Sequence, residues 1–166
     1  MQRGAGAGFT LIEMMVAIAI FAILMSLAVP SFRDMGFGEQ LRSASTELIA
    51  AANLARSEAI KRNAPVNLCV SSDGETCGVG GWEQGWIVTA GGPDPIRVKP
   101  AAPSGFRISA TGAATAIVFQ PTGVGATPAS FTICRATPSP GRQERIVTID
   151  AAGRATARRT TTGVCP

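Results

Sequence analysis

From Phe9 to Val29 the chain reads FTLIEMMVAIAIFAILMSLAV, an apolar run interrupted only by Thr10, Glu13 and Ser26. That is about the length a helix needs to span a bilayer, so 9–29 reads as a transmembrane helix. A secretory signal peptide would have a shorter apolar core and a small-residue cleavage motif on its far side, which Ala28-Val29-Pro30 matches poorly. The small residues stand before the run instead, in Arg3-Gly4-Ala5-Gly6-Ala7-Gly8. A cut there removes the basic leader, 1–8, and keeps the helix, while Arg3 favours the cytoplasmic side of the membrane.

Glu13 stands out, because a carboxylate near the start of an apolar span is costly in lipid unless it finds a partner. With the chain cut after Gly8, Glu13 lies close enough to the new helix start for a neighbouring subunit's terminal amine to neutralise it. The competing reading is a carboxylate held at headgroup level, where the cost is softened.

Gly8-Phe9-Thr10-Leu11-Ile12-Glu13 resembles the class III signal of type IV pilins and type II secretion pseudopilins. The resemblance implies that a prepilin peptidase cuts between Gly8 and Phe9 and methylates the new Phe9 amine, and that Glu13 guides subunit docking. It also places a helix break at Pro30.

Beyond Pro30 comes Ser31-Phe32-Arg33-Asp34-Met35-Gly36-Phe37-Gly38, whose glycines predict a local kink or melting. Leu41, Ser45, Leu48, Ala52, Ala55 and Ala59 then recur at helical spacing, with Leu54 and Ile60 alongside. They predict an amphipathic helix over 30–64 that stops at Asn63-Ala64-Pro65. Helical from Phe9 to Arg62, the chain would form a rod roughly 80 Å long, at about 1.5 Å per residue.

From 65 to 166 short β-prone runs alternate with Gly and Pro: 66–70, 85–89, 96–99, 106–109, 116–119, 130–135 and 145–150. They predict an α+β fold, a long N-terminal helix packed on mostly antiparallel sheet. The expected core is Leu48, Ile60, Val66, Trp86, Val88, Ile117, Phe119, Phe131, Ile133, Val147 and Ile149. The Gly- and Pro-rich segments 91–95, 123–128 and 137–141 read as loops.

Composition removes most enzyme chemistries. The 166 residues include no His and no Tyr, so no Ser-His-Asp arrangement, His ligand or His proton shuttle is available. Gly78-Val79-Gly80-Gly81 lacks a following Lys-Ser/Thr and reads as a loop. No catalytic residue, metal or cofactor is expected. Trp82 and Trp86 read as packing residues, one of them a stacking surface if exposed. Cys69, Cys77, Cys134 and Cys165 are too widely spaced for a zinc site and, after a membrane-targeting segment, favour disulfides in an oxidising compartment. Three connectivities are possible, the local one joining Cys69 to Cys77 and leaving Cys134 to Cys165.

Several further stretches narrow the resemblance: 54–62 (LARSEAIKR), 66–69 (VNLC), Asp73-Gly74 before Cys77, Trp82 with Gly85-Trp86-Ile87-Val88, 119–123 (FQPTG), 131–134 (FTIC) and 149–154 (IDAAGR). Together they are similar to the GspH/FimT/FimU group of minor pilins. The resemblance implies a single-pass protein of the bacterial inner membrane with its C-terminal domain in the periplasm. From there it would join other major and minor pilins near a filament tip and help start assembly. A type II secretion pseudopilin acting in protein export is the alternative, since fold and leader are shared. Cys134 and Cys165 lie where FimU-like members have a disulfide that ties down the tail.

The last motif is basic. Arg154, Arg158 and Arg159 follow Gly153 with no acidic residue after Asp150, and guanidinium and Thr hydroxyl groups suit phosphate oxygens. Some FimT members bind DNA for natural transformation through a Gly-Arg-x-Arg motif, which Gly153 and Arg154 match while Thr156 replaces the second Arg. The expectation is a loop that holds DNA by its backbone; the alternative is a solvated charged loop or subunit contact.

Overall fold

The computed structural model describes residues 9–124, 126–137, 141 and 143–166, with the backbone only for 27–34. Gly8, and with it half of the expected cleavage junction, lies outside the described residues, as do Gly125 and 138–140 of the expected loops. The chain divides into two compact units, Met1–Phe37 and Gly38–Pro166.

The first unit holds the start of helix α1, which runs Leu11–Arg62. Apart from half-buried Phe37, its described apolar side chains are exposed, among them Leu11, Ile12, Ile18, Phe21 and Ile23. Among the described residues no helix is long and apolar enough to cross a membrane. The stretch expected to do so extends to Val29, and its side chains from 27 onward lie outside the described set. The expected break at Pro30 and melting across 31–38 do not occur, because α1 continues through both. A helix can pass a proline by giving up one amide hydrogen bond and bending locally.

α1 ends as its sequence dictates. Asn63 takes a left-handed conformation (φ 50°), its N–H bonding to the Ile60 carbonyl at 3.2 Å and that of Ala64 to the Ala59 carbonyl at 3.3 Å. Pro65 then excludes a further helical turn.

In the second unit, Leu41, Ser45, Leu48, Ala52, Ala55 and Ala59 are buried, one stripe with the three- and four-residue steps of an α-helix. Ile60 departs from expectation: it is 52% exposed, one step round the helix from buried Ala59. The other ten expected core residues are buried.

Among the described residues, eight strands form two antiparallel sheets. The first, in order β3-β2-β1-β5, comprises β1 (Val66–Val70), β2 (Gly85–Thr89), β3 (Arg97–Pro100) and β5 (Ala116–Phe119). The second, in order β4-β6-β7-β8, comprises β4 (Phe106–Ala110), β6 (Ala129–Arg135), β7 (Glu144–Ile149) and β8 (Ala155–Thr160). Seven strands fall within a residue or so of expectation, and β8 occupies what the sequence presented as a loop. Gly85 opens β2 at φ 119°, where a Cβ would lie 2.8 Å from the Lys99 and Ser71 carbonyl oxygens, so only glycine fits.

Both cysteine pairs are disulfides, Cys69–Cys77 and Cys134–Cys165. The first sheet is buried on both faces along β2, and the segment after β1 returns to it through Cys77. Asp73 organises that return by accepting from the Ser71 and Thr76 hydroxyls (2.8 and 2.7 Å) and the Glu75 and Thr76 N–H groups (2.9 and 3.0 Å). Those donors hold its carboxyl well below the usual carboxylate range, the Thr76 hydroxyl foremost. Trp82 and Trp86 are packing residues: both are buried, and the Trp82 indole stands edge-on to Phe131 at 4.8 Å and donates to the Ala114 carbonyl at 2.7 Å.

Candidate functional site

At the start of α1, Thr10 and Glu13 bond to each other. The Thr10 N–H and hydroxyl donate to Glu13 Oε2 at 2.8 and 2.7 Å, and the Glu13 N–H donates back to Thr10 Oγ1 at 3.3 Å. This reciprocal pair is a capping box, and the Thr-x-x-Glu spacing that encodes it is visible in the sequence. The carboxylate therefore has a partner within its own chain. Phe9, just before it, is exposed.

The basic segment is built differently from the expected loop. After β7 the chain turns through 150–154, where the Asp150 carbonyl accepts from the Gly153 N–H at 2.8 Å and the Asp150 carboxylate from the Arg154 N–H at 2.9 Å. Gly153 is buried with φ 73°, a conformation that favours glycine. Arg154 is exposed and also ion-paired, its Nε 3.4 Å from Asp150 Oδ2. The Arg154 N–H above all, and then its guanidinium, keep the Asp150 carboxyl below its ordinary range.

From Ala155 the chain is β8, paired along its length with β7. Successive strand residues point to opposite faces, so Arg158 and Arg159 diverge. Arg158 stands opposite Ile146, and Arg159 opposite Arg145. The register assigns the faces: Arg145 and Arg159 share one with Ile133, Val147 and Ile149, while Arg158 lies on the other with Thr132 and Ile146. The three candidate arginines thus do not form one cluster, because strand pairing fixed the backbone and alternation separated the side chains. Arg145 has no distinguishing signal in the sequence and is brought to Arg159 by register alone.

A second feature escaped the sequence entirely. Glu144, at the start of β7, is 1% exposed. It accepts from the Thr160 hydroxyl (2.8 Å), the Thr162 hydroxyl (2.6 Å) and N–H (3.2 Å), the Val164 N–H (3.1 Å) and the Gly163 N–H. Residues 160–164 wrap this carboxylate, Cys165 then bonds Cys134, and the Pro166 carbonyl accepts from the Ser109 hydroxyl on β4 at 2.9 Å. The tail therefore runs back across the second sheet from β8 to β4. Burial acts to raise the Glu144 carboxyl, and the Thr162 and Thr160 hydroxyls with the Gly163 and Thr162 N–H groups outweigh it, so the net shift is downward.

The architecture has known counterparts. The model of the type II transport protein GspH family matches residues 44–153, and that of the prokaryotic N-terminal methylation motif matches 5–29. No curated protein matches the chain at a significant level. Two crystal structures of the type IV minor pilin FimU from Pseudomonas aeruginosa are similar. One has 23% identity and TM-score 0.57, covering 72% of this chain and 89% of that one; the other has 25% identity and TM-score 0.55, covering 71% and 92%. The minor pseudopilin EpsH of the Vibrio cholerae type II secretion system shares the fold at 14% identity and TM-score 0.51, covering 75% of this chain and 99% of its own. With a capped N-terminal helix inside a methylation motif and a two-sheet domain matched over most of its length, this chain belongs to the GspH family of type IV minor pilins and type II secretion pseudopilins.

Proposed function

We propose that the chain is a FimU-like minor pilin of a type IV pilus, incorporated near the tip, where it helps start assembly. On this reading 9–29 anchors it in the inner membrane until extraction, prepilin peptidase cuts after Gly8 and methylates Phe9, and Glu13 guides docking onto other pilins. The observation that carries the reading is the tail fastened by Cys134–Cys165, the trait that the resemblance to FimU-like members implies. The type II secretion alternative separates by phenotype: loss of the protein abolishes surface pili in one case and export of folded proteins in the other.

Glu13 is tested against its own cap. Glu13→Ala removes both the cap and any contact between subunits, whereas Thr10→Ala weakens the cap by about 1 kcal/mol and leaves the carboxylate. An assembly role predicts that both variants are cleaved and that only Glu13→Ala fails to enter filaments. Equal incorporation of the two would reduce Glu13 to a helix cap.

Nucleic-acid binding is the second activity we infer. Of the basic segment, the residue that supports it is Arg159, exposed and not within ion-pair distance of a carboxylate among the described residues. Contacts to the phosphate backbone predict low sequence preference and steep salt dependence. A gel-shift titration of wild type against a triple Arg154, Arg158 and Arg159→Gln variant checks it, and equal binding by both sinks the arginine assignment.

A further inference from the structure

The cross-strand pair Arg145–Arg159 poses an electrostatic question. Residues directly opposite in an antiparallel pair have Cβ atoms about 5 Å apart, and like charges placed so repel. Arg145 is half-buried and Arg159 exposed, on the same face of the second sheet. Among the described residues no carboxylate lies within ion-pair distance of either, and the one bond from the Arg145 side chain goes to the neighbouring Glu144 carbonyl at 3.4 Å. The carboxylate adjacent in sequence, Glu144, points to the opposite face and is already engaged by the tail. Arg135, two residues along β6 from the Ile133 that pairs with Arg145, adds a third cation to this face.

We propose that Arg145 and Arg159 form a two-guanidinium clamp for one tetrahedral oxyanion, the phosphate of a phosphodiester chain. A guanidinium presents paired N–H donors that match two oxygens of a phosphate, and two such forks side by side satisfy one group while cancelling their mutual repulsion. The nucleic-acid identity of the ligand rests on the reading given under Proposed function; the clamp itself rests on the register. It moves the binding residues off Arg158, which faces the other side, and off Arg154, which is paired with Asp150.

The test uses the full chain in nonionic-detergent micelles with two probes, a fluorescent oligothymidylate followed by anisotropy over a salt series, and inorganic phosphate followed through arginine Nε–Hε NMR signals. Arg145→Gln and Arg159→Gln are each expected to weaken oligonucleotide binding roughly 10-fold, the loss of a charge-assisted contact. Each should also flatten the log–log salt slope by about 0.7. Arg158→Gln should change binding less than about twofold, having no phosphate contact to lose. Because either substitution relieves repulsion, both variants should melt no lower than wild type; lost binding with lowered melting would mean damage to the fold and would overturn the clamp. Binding lost in Arg158→Gln and kept in Arg145→Gln also overturns it, and leaves nucleic-acid binding standing. Saturable phosphate shifts at Arg145 and Arg159 without oligonucleotide binding keep the clamp and end the nucleic-acid reading. No response to either probe ends both.

Discussion

At the scale of single residues, two carboxylates hold this domain's irregular segments, Asp73 after β1 and Glu144 beneath the tail. Each gathers hydroxyl and backbone N–H donors rather than a cation, and each carboxyl is held below its ordinary range by them. The sign of the pH dependence follows: a carboxyl depressed in the folded state contributes stability above the unfolded glutamate value of about 4.3, and that contribution is lost as pH falls through the folded value. Glu144→Gln should therefore lower stability at neutral pH by about 2 kcal/mol, since the amide turns an NH2 group toward donors. It should also flatten the acid limb of the stability curve. Denaturant unfolding of both proteins between neutral pH and about pH 3 reads both effects. An unchanged acid limb would mean that other carboxylates carry it.

At the scale of elements, the chain was legible wherever apolar periodicity marked it and opaque where a polar element borrowed its conformation from a neighbour. The stripe from Leu41 to Ala59 and the buried alternation of β6 announced themselves, because both bury what they display. Ala155–Thr160 did not: none of its residues is buried, and it is a strand because β7 supplies its hydrogen-bond ladder. The same cause hid Arg145, whose relation to Arg159 is one of register. The hairpin does carry one readable device, Gly153 at φ 73°. A Cβ there would meet Arg56 Cδ at 3.4 Å and Phe119 Cδ1 at 3.5 Å, ordinary contacts, so backbone strain is the principal cost. Gly153→Ala should destabilise by about 1 to 2 kcal/mol without changing the fold, and a thermal melt against wild type reads the loss. A much larger loss would mean that the turn and β8 fold as one unit.

At the scale of the whole chain, the two disulfides differ in what they close. Cys69–Cys77 spans a sequence separation of 8 and Cys134–Cys165 one of 31. Chain-entropy reasoning assigns about 2.5 kcal/mol to the shorter loop and about 3.7 kcal/mol to the longer. The longer one also fastens the tail that buries Glu144, so cutting it exposes a carboxylate whose donors lie on the freed segment. Replacing Cys134 and Cys165 together with Ser should thus destabilise the domain more than replacing Cys69 and Cys77. The gap should exceed the entropic difference of about 1 kcal/mol, because the Glu144 bonds weaken with the tail. Adding Glu144→Gln to each double variant separates the two contributions by a double-mutant cycle. Coupling is expected with the Cys134 and Cys165 pair and additivity with the Cys69 and Cys77 pair. Additivity in both would show that the carboxylate holds the tail without help from the disulfide.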